Sequence, residues 1–439
     1  MAKEIFRAAV DAANPYRGVA RACDEIHSLF REGGFARLHV VGFGKASPAM
    51  ASALEESLGG LIDDGIIITK YGHTPSRKLE RIRLFESGHP IPDENGQEAS
   101  RRLVNLVESA DDRTLVISLI SGGGSALLVS PLAGITLVDK QVTTDLLLKA
   151  GADIHDLNTV RKHLSRVKGG RLAELIYPAT SLSLILSDVV GDRLDVIASG
   201  PTAPDPTTYR DALDVLVKYD LAKIVPESVA ELLAKGQMGK VPETPKPGNP
   251  LFSNTTNMII GSNRRALEAA QGKAEGLGFR TEVLSAEITG EARDVGRWLA
   301  RKALVMRAMG MQSPVCLISG GETTVTVKGK GKGGRNMELA LSFALEVEGI
   351  AGITLLSAGT DGTDGPTDSA GAIVDGDTIL GARRGGINPE LHLRDNDSYD
   401  FFRRAGGLLL TGATGTNVMD IQMILIEGNG PLQDNVSMR

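Results

Sequence analysis

The chain has 439 residues with 48 basic against 54 acidic side chains, so its net charge of −6 gives no electrostatic footing for a polyanion such as nucleic acid. Glycine is abundant at 52 residues and aromatics stand at 4 %, which suits an α/β enzyme of two or three domains with many glycine-rich loops rather than a base-stacking surface. Only Cys23 and Cys316 occur, far apart, and neither a secretory apolar core nor a bilayer-length apolar run is present, so the expectation is a soluble protein of the reducing cytoplasm.

Helical periodicity alternates with short apolar runs along most of the chain, which predicts α/β architecture with largely parallel strands. Val19 to Phe30 has helical spacing, Leu38 to Val41 reads as a buried strand, and Ser47 to Leu58 as a helix with a serine cap and proline at its first position. Gly65 to Thr69 is a strand, Glu94 to Ala110 a helix, and Thr114 to Ile120 and Ser181 to Leu186 further buried strands. Between the last two, Asp153 to Leu172 is polar and helical. Prolines concentrate in Lys240 to Phe252, which sets the expected boundary between residues 1–243 and 244–439. Beyond it come a helix from Asn263, a strand at Thr281 to Ser285, a helix through Trp298 and a strand at Val315 to Ile318. Thr323 to Val327 then alternates as an antiparallel strand, followed by a helix from Asn336 and a strand at Ile353 to Ser357.

Five strands run abruptly into small and polar residues: LHVV into GFGKAS, TLVISLI into SGGGSAL, SLSLIL into SDVVGD, VCLI into SGGET, and ITLLS into AGTDGTDG. In open α/β sheets ligands gather outside the carboxyl ends of strands, so these loops outline a site. Ser121, Gly122, Gly123, Gly124 and Ser125 form the best phosphate cradle, because glycines let backbone N–H groups face an anion. The P-loop ending is missing, and the dinucleotide pattern at Gly42 has Ser47 in place of its third glycine. Lys45 stands where a strand meets a helix, a position suited to a phosphate ligand. Lys328, Lys330 and Lys332 alternate with glycines and lead to Arg335 at a helix start, which suits a mobile flap over a polyphosphate. Asp188 and Asp192, and Asp361, Asp364 and Asp368, follow strands and are either hard-cation ligands, a general base or plain turn formers. His89 reads as a fixed loop histidine. Glycine cradles, separate cations and strand-end carboxylates fit phosphoryl transfer, which needs charge neutralisation and positioning.

The wording of the motifs carries a family resemblance. VGFGKAS, ESGHPIPDENG, ISGGGSALL, VRKHLSRVKGGRLA, LSDVVGD, IASGPTAPDPTT, ISGGETTVTV, GGRNMELAL and GTDGTDGPTDSAGAIVD together resemble the class II glycerate kinases, glycerate 2-kinases with a C-terminal MOFRL domain, from about Ala8 to Met419. The resemblance implies a Rossmann-like N-terminal domain, a smaller α/β domain with its MOFRL region at about 312–420, and an active site in the cleft between them. It implies conversion of D-glycerate to 2-phosphoglycerate with ATP and Mg2+, these small molecules being the partners in place of nucleic acid or membrane, and it is compatible with a homodimer. Lys45, Arg335 and Asp361 match the family's active-site lysine, arginine and aspartate, and Asp188 is a further acidic candidate. Ser121 to Ser125 and Lys330 would contact nucleotide; Asp188, Asp192 and Asp361 are the carboxylates available to a metal. Some members bear the name hydroxypyruvate reductase, which leaves NAD(P)H-dependent interconversion of hydroxypyruvate and glycerate as the alternative. A non-catalytic two-lobed binding protein is a third reading.

Overall fold

The computed structural model describes residues 1–75 and 77–428, and among them twelve strands form two six-stranded sheets. The first sheet holds β1 (Arg37–Phe43), β2 (Ile62–Lys70), β3 (Ile82–Ser87), β4 (Thr114–Ile120), β5 (Thr180–Leu186) and β6 (Thr255–Gly261) in the order β3-β2-β1-β4-β5-β6. Its pairings from β3 through β5 are all parallel. This is the doubly wound order, in which the order of winding across the sheet reverses between β1 and β4 while the strands stay parallel. Strand alternation explains why both faces are covered. Leu38 and Val40 of β1 join a core with Val19, Ile26, Met50 and Leu54, whereas Val41 and Phe43 join another with Ala99, Leu103, Val107 and Leu172. A separate helical core gathers Val160, Tyr209, Val215 and Leu233.

The second sheet holds β7 (Arg280–Ile288), β8 (Val315–Gly321), β9 (Ile353–Gly359), β10 (Gly371–Asp375), β11 (Leu408–Leu409) and β12 (Asp420–Ile426) in the order β11-β10-β9-β12-β8-β7. Only β7 and β8 pair in parallel; the other pairings are antiparallel, so the expectation of largely parallel strands holds for the first sheet alone. Thr323 to Val327 forms no strand. Both edges of β8 are taken by β7 and β12, and Thr326 instead gives its N–H and hydroxyl to the Glu291 carboxylate.

The chain divides into two compact units, Pro15–Ile260 and Met1–Asn14 with the chain from Gly261 on. These compact units differ in two places from the expected division at residues 243/244, and the final residues 429–439 of the expected second domain lie outside the described ones. The proline-rich stretch is a strap on the first unit: Glu243 accepts from Tyr209 N–H at 3.1 Å, Thr244 donates to Asp205 at 3.0 Å, and Pro242 O accepts from Arg171 at 2.8 Å. The N-terminal helix Ala2–Ala12 belongs with the second unit, where Glu4 pairs with Lys273 at 2.6 Å.

Two smaller expectations also change. Ser47 does not cap its helix; it is buried, and its hydroxyl donates to Gly44 O at 2.8 Å. Asp153 to Leu172 is two helices, Ile154–His163 and Arg171–Ile176, because Gly169 and Gly170 between them take positive φ.

Candidate active site

In the first unit the loops after β1 and β4 meet at the reversal point of the sheet. Ser121 N–H donates to Phe43 O at 3.1 Å, Lys45 N–H to Gly122 O at 2.9 Å, and Ala46 N–H to the Ser121 hydroxyl at 3.0 Å. Gly44 has φ +126, and a Cβ there would lie 2.2 Å from Ser121 Oγ, so only glycine lets the two loops close. The next glycines make room for three side chains. A Cβ on Gly122 would meet Asp188 Oδ2 at 2.1 Å; one on Gly123 would meet His89 Nε2 at 3.1 Å and Lys45 Cε at 3.4 Å.

Lys45, His89 and Asp188 thus converge on one glycine loop. Lys45 is exposed, and its ammonium makes no hydrogen bond or ion pair among the described residues. Burial pushes His89 down to about 4, helped by the fields of Lys45, Lys70 and His73, so its imidazole is neutral at neutral pH. Burial also pushes the Asp188 carboxyl above the usual range, against its own backbone N–H and Lys45. Asp192 stays apart: its carboxylate makes no hydrogen bond or ion pair among the described residues, and Asp188 and Asp192 belong to no three-ligand cluster there.

Ser125 has a different set of partners. Its hydroxyl lies 2.7 Å from the Ser199 hydroxyl, which donates to Asn158 Oδ1 at 2.9 Å, and its carbonyl accepts from Arg161 and Lys168.

In the second unit the centre is built on Arg335, at the start of helix Arg335–Glu346, and Asp420, at the start of β12. Register sets Asp420 opposite Gly321 of β8 and Gly359 of β9, the points where those strands end. Asp420 is fully buried and takes Arg335 in two contacts, Nε at 2.6 Å and Nη2 at 3.0 Å; Arg335 Nη1 reaches Glu322 at 2.7 Å. This two-point geometry is that of an ionised pair. Burial works against the guanidinium, but the bond to Asp420 and the charges of Glu322 and Asp364 outweigh it and hold Arg335 above its ordinary range. Burial pushes Asp420 up as well, against Arg335.

The acidic loop after β9 separates its three aspartates. Asp364 is buried and accepts N–H bonds from Asn336 at 3.1 Å and Met337 at 2.8 Å, tying the loop to the Arg335 helix. Burial pushes Asp364 up to about 7, against those two N–H bonds and with the Asp420 charge adding to it. Asp361 is half-buried; its Oδ1 accepts Thr363 N–H at 3.0 Å and lies, with Asp420 Oδ1, around the Cβ position of Gly359. Asp368 is exposed and accepts from the Tyr399 hydroxyl.

The lysine–glycine stretch, expected as a mobile flap, is hydrogen-bonded along its backbone to residues 395–397. Lys328 and Gly329 N–H groups donate to Asn396 Oδ1, Lys330 N–H to Asp395 Oδ1, Gly331 N–H to Asp395 O and Lys332 N–H to Asp397 Oδ1. Its glycines serve close contact: a Cβ on Gly329 would meet Asp395 O at 2.1 Å and one on Gly331 would meet Asp397 Cβ at 2.3 Å. The Lys330 side chain is exposed, and Lys332 lies 4.8 Å over the Tyr399 ring.

Asp420, Glu322 and the convergence of His89 are what sequence reasoning missed. Asp420 directly precedes the apolar run IQMILI, the same strand-boundary signal that singled out the other carboxylates, but at the opposite end of its strand.

An anion-ready glycine loop on a doubly wound sheet and a guanidinium–carboxylate centre on a mixed sheet define a two-unit α/β protein of phosphoryl-transfer type. Residues 1–234 match the family described as "Domain of unknown function (DUF4147)", and residues 315–420 match the MOFRL family. The chain is 44 % identical over 428 residues to a D-glycerate 2-kinase of Thermotoga maritima, covering 97 % of this chain and 98 % of that one. It is also 42 % identical over 97 % of its length, and 93 % of the relative's, to an Agrobacterium vitis protein provisionally named a hydroxypyruvate reductase. A crystal structure of glycerate kinase from Thermotoga maritima matches with a TM-score of 0.87 at 44 % identity, over 97 % of this chain and 98 % of that one. The chain belongs to the class II glycerate kinases, the family with a C-terminal MOFRL domain.

Proposed function

We infer that this chain transfers the γ-phosphoryl group of ATP to D-glycerate and releases 2-phosphoglycerate. The observation that carries the reading is the loop after β4, whose glycines pack against Lys45 and Asp188 at the reversal point of the sheet, in a chain so similar to a D-glycerate 2-kinase. In this reading the Ser121 to Ser125 loop, through the N–H groups of Gly122, Gly123 and Ser125 that are not already given to Phe43 O or Ser121 O, and the free Lys45 ammonium receive phosphoryl oxygens and offset their charge. Arg335 acts on the transferring group, its orientation fixed by Asp420 and Glu322. Asp361 takes the proton of the glycerate hydroxyl; it is more open to solvent than Asp364, whose oxygens are already committed to N–H donors.

Asp188 in the first unit and Asp361 in the second are each a hard oxygen donor of the kind magnesium prefers, and either would hold the ion; when bound, it would neutralise phosphoryl oxygens. Asp192 and Lys330 stand lower in this scheme, since neither is among the side chains that converge on the glycine loop or on Arg335. Among the described residues no helix is long and apolar enough to cross a membrane. Dependence on ATP suits the cytoplasm, without nucleic-acid or membrane partners, and light scattering tests for a homodimer.

The closed contact between Gly44 and Ser121 speaks against the reductase alternative, because a dinucleotide needs its pyrophosphate close to that glycine turn. Incubation with D-glycerate and ATP-Mg, in parallel with hydroxypyruvate and NADH or NADPH, tests the choice. Phosphorus NMR should show 2-phosphoglycerate; nicotinamide oxidation without glycerate phosphorylation would overturn the kinase reading.

A further inference from the structure

Three basic side chains of the first unit have no carboxylate partner among the described residues. Lys140 is 6 % exposed and Lys168 1 % exposed; Arg161 is half-buried as a residue, and burial pushes its guanidinium down to about 10. Arg161 Nη2 and Lys168 Nζ share one acceptor, the carbonyl of Ser125, at 3.1 and 2.8 Å; Lys168 also reaches Leu128 O at 3.4 Å. Lys140 Nζ has no hydrogen-bond partner among the described residues. The three charges repel one another: burial, with Arg161 adding, pushes Lys140 down to about 7, and burial, with Arg161 and Lys140 adding, pushes Lys168 well down.

The next residue along the same helix shows the contrast. Lys162 is equally buried, and there the fold provides Asp205, fully buried, at 3.2 Å. Burying unpaired ammonium groups is costly, so the neighbours of Lys162 either release a proton, the direction in which burial pushes Lys140 and Lys168, or take up negative charge from a bound anion. Backbone conformation marks the same place. Ala198, Ser199 and Gly200 all take left-handed φ, at 51°, 64° and 61°, and this run holds the Ser199 hydroxyl against Ser125 and Asn158. Two of the three carry side chains, and such strain is characteristic of ligand clamps.

We propose that Lys140, Arg161 and Lys168, with the Ser125–Ser199–Asn158 hydroxyl and amide chain beside them, form an anion subsite that takes an oxyanion group of one of the two substrates. Its chemistry is that of a phosphate or carboxylate held by charge-assisted hydrogen bonds from the Arg161 guanidinium and from the two lysines, which the anion's charge would keep protonated. The sources are the triphosphate of the nucleotide and the carboxylate of glycerate. The assignment of these anions rests on the kinase reading; the existence of the subsite does not.

The test is calorimetric titration of the full chain with sodium tripolyphosphate and, separately, with D-glycerate. Lys140→Met and Arg161→Met should each weaken one of these anions at least tenfold and leave the other within twofold, which identifies the source. Lys140→Met should also keep or raise the melting temperature, because it replaces an unpaired buried ammonium with an apolar chain of similar length. Should a variant fail to fold, the native chain still decides through lysine acylation read by peptide mass spectrometry, where the binding anion should slow labelling of Lys140 at least tenfold. Native affinity for both anions in folded variants, or unprotected Lys140 in the native chain, overturns the subsite. These readouts need no turnover, so they stand whether or not glycerate is phosphorylated.

Discussion

The two centres treat charge in opposite ways. In the first unit, Lys45 projects free from a glycine loop and Lys140, Arg161 and Lys168 find only carbonyls or nothing. In the second, a single guanidinium is clamped by Asp420 and Glu322 with Asp364 close enough to act on it. One region keeps positive charge in reserve for something that arrives; the other spends its charge on holding itself in place. The lesson is that the same residue type carries different consequences when removed. Taking one member from a buried pair strands its partner, whereas removing an unpaired ammonium strands nothing.

Arg335→Ala should give the largest combined effect. Turnover with D-glycerate should fall about a hundredfold or more, and the stranded Asp420 should cost about 3–5 kcal/mol of unfolding free energy. Steady-state kinetics and denaturant titration measure the two losses, and Arg335→Met with Asp420→Leu should recover much of the stability without the activity. An Arg335→Ala chain as stable as the native one would erase the contrast between the centres. Lys45→Ala sharpens it from the other side. Its turnover should also drop about a hundredfold, yet its unfolding free energy should change by less than about 0.5 kcal/mol, as for an exposed unpaired side chain.

The pH dependence of stability offers a third, smaller signature. The folded chain holds the Asp364 proton up to about 7, above the ordinary carboxylate value, so between about 4 and 7 the folded state binds more protons than the unfolded. Stability should therefore fall as pH rises through that window. Asp364→Asn should remove that part of the slope in parallel unfolding titrations, and an identical slope in both chains would show that Asp364 is ionised throughout. Least affected should be Lys330→Ala. An exposed, screened charge on a pinned backbone should alter kcat/KM by no more than about threefold.

Four of the six strands of the first sheet were legible, because β1, β2, β4 and β5 are apolar runs, as buried parallel strands must be, and Thr114 to Ile120 matches β4 end to end. The two outer strands, β3 and β6, were not singled out: they mix polar with apolar residues and are only partly buried. Legibility failed where tertiary contacts decide. Thr323 to Val327 alternates like a strand but finds both edges of β8 occupied, and the stretch that fills one of them, β12, lies about a hundred residues away where no local pattern points back. The glycines of the lysine-rich stretch signalled freedom, whereas their purpose is close approach to the 395–398 turn. Periodicity cannot tell these apart, because both need the missing Cβ. Candidate residues were found by type and position; their pairing was not, so Arg335 was singled out while its partner Asp420 went unseen.

The position of β12 has a further consequence, during synthesis. It lies between β8 and β9, so the second sheet cannot close until residues 420–426 have left the ribosome. The first unit is complete by residue 260, and at roughly 5–20 residues per second it has on the order of 10–30 s to fold alone. The N-terminal helix, although made first, waits longest: its partners are Lys273 and, through the Ala13 carbonyl, Thr416. A nascent chain halted near residue 400 should thus carry a finished first unit and an unfinished second one, with the apolar edges of β8 and β9 exposed and a need for chaperone cover that ends only when the last strand is inserted.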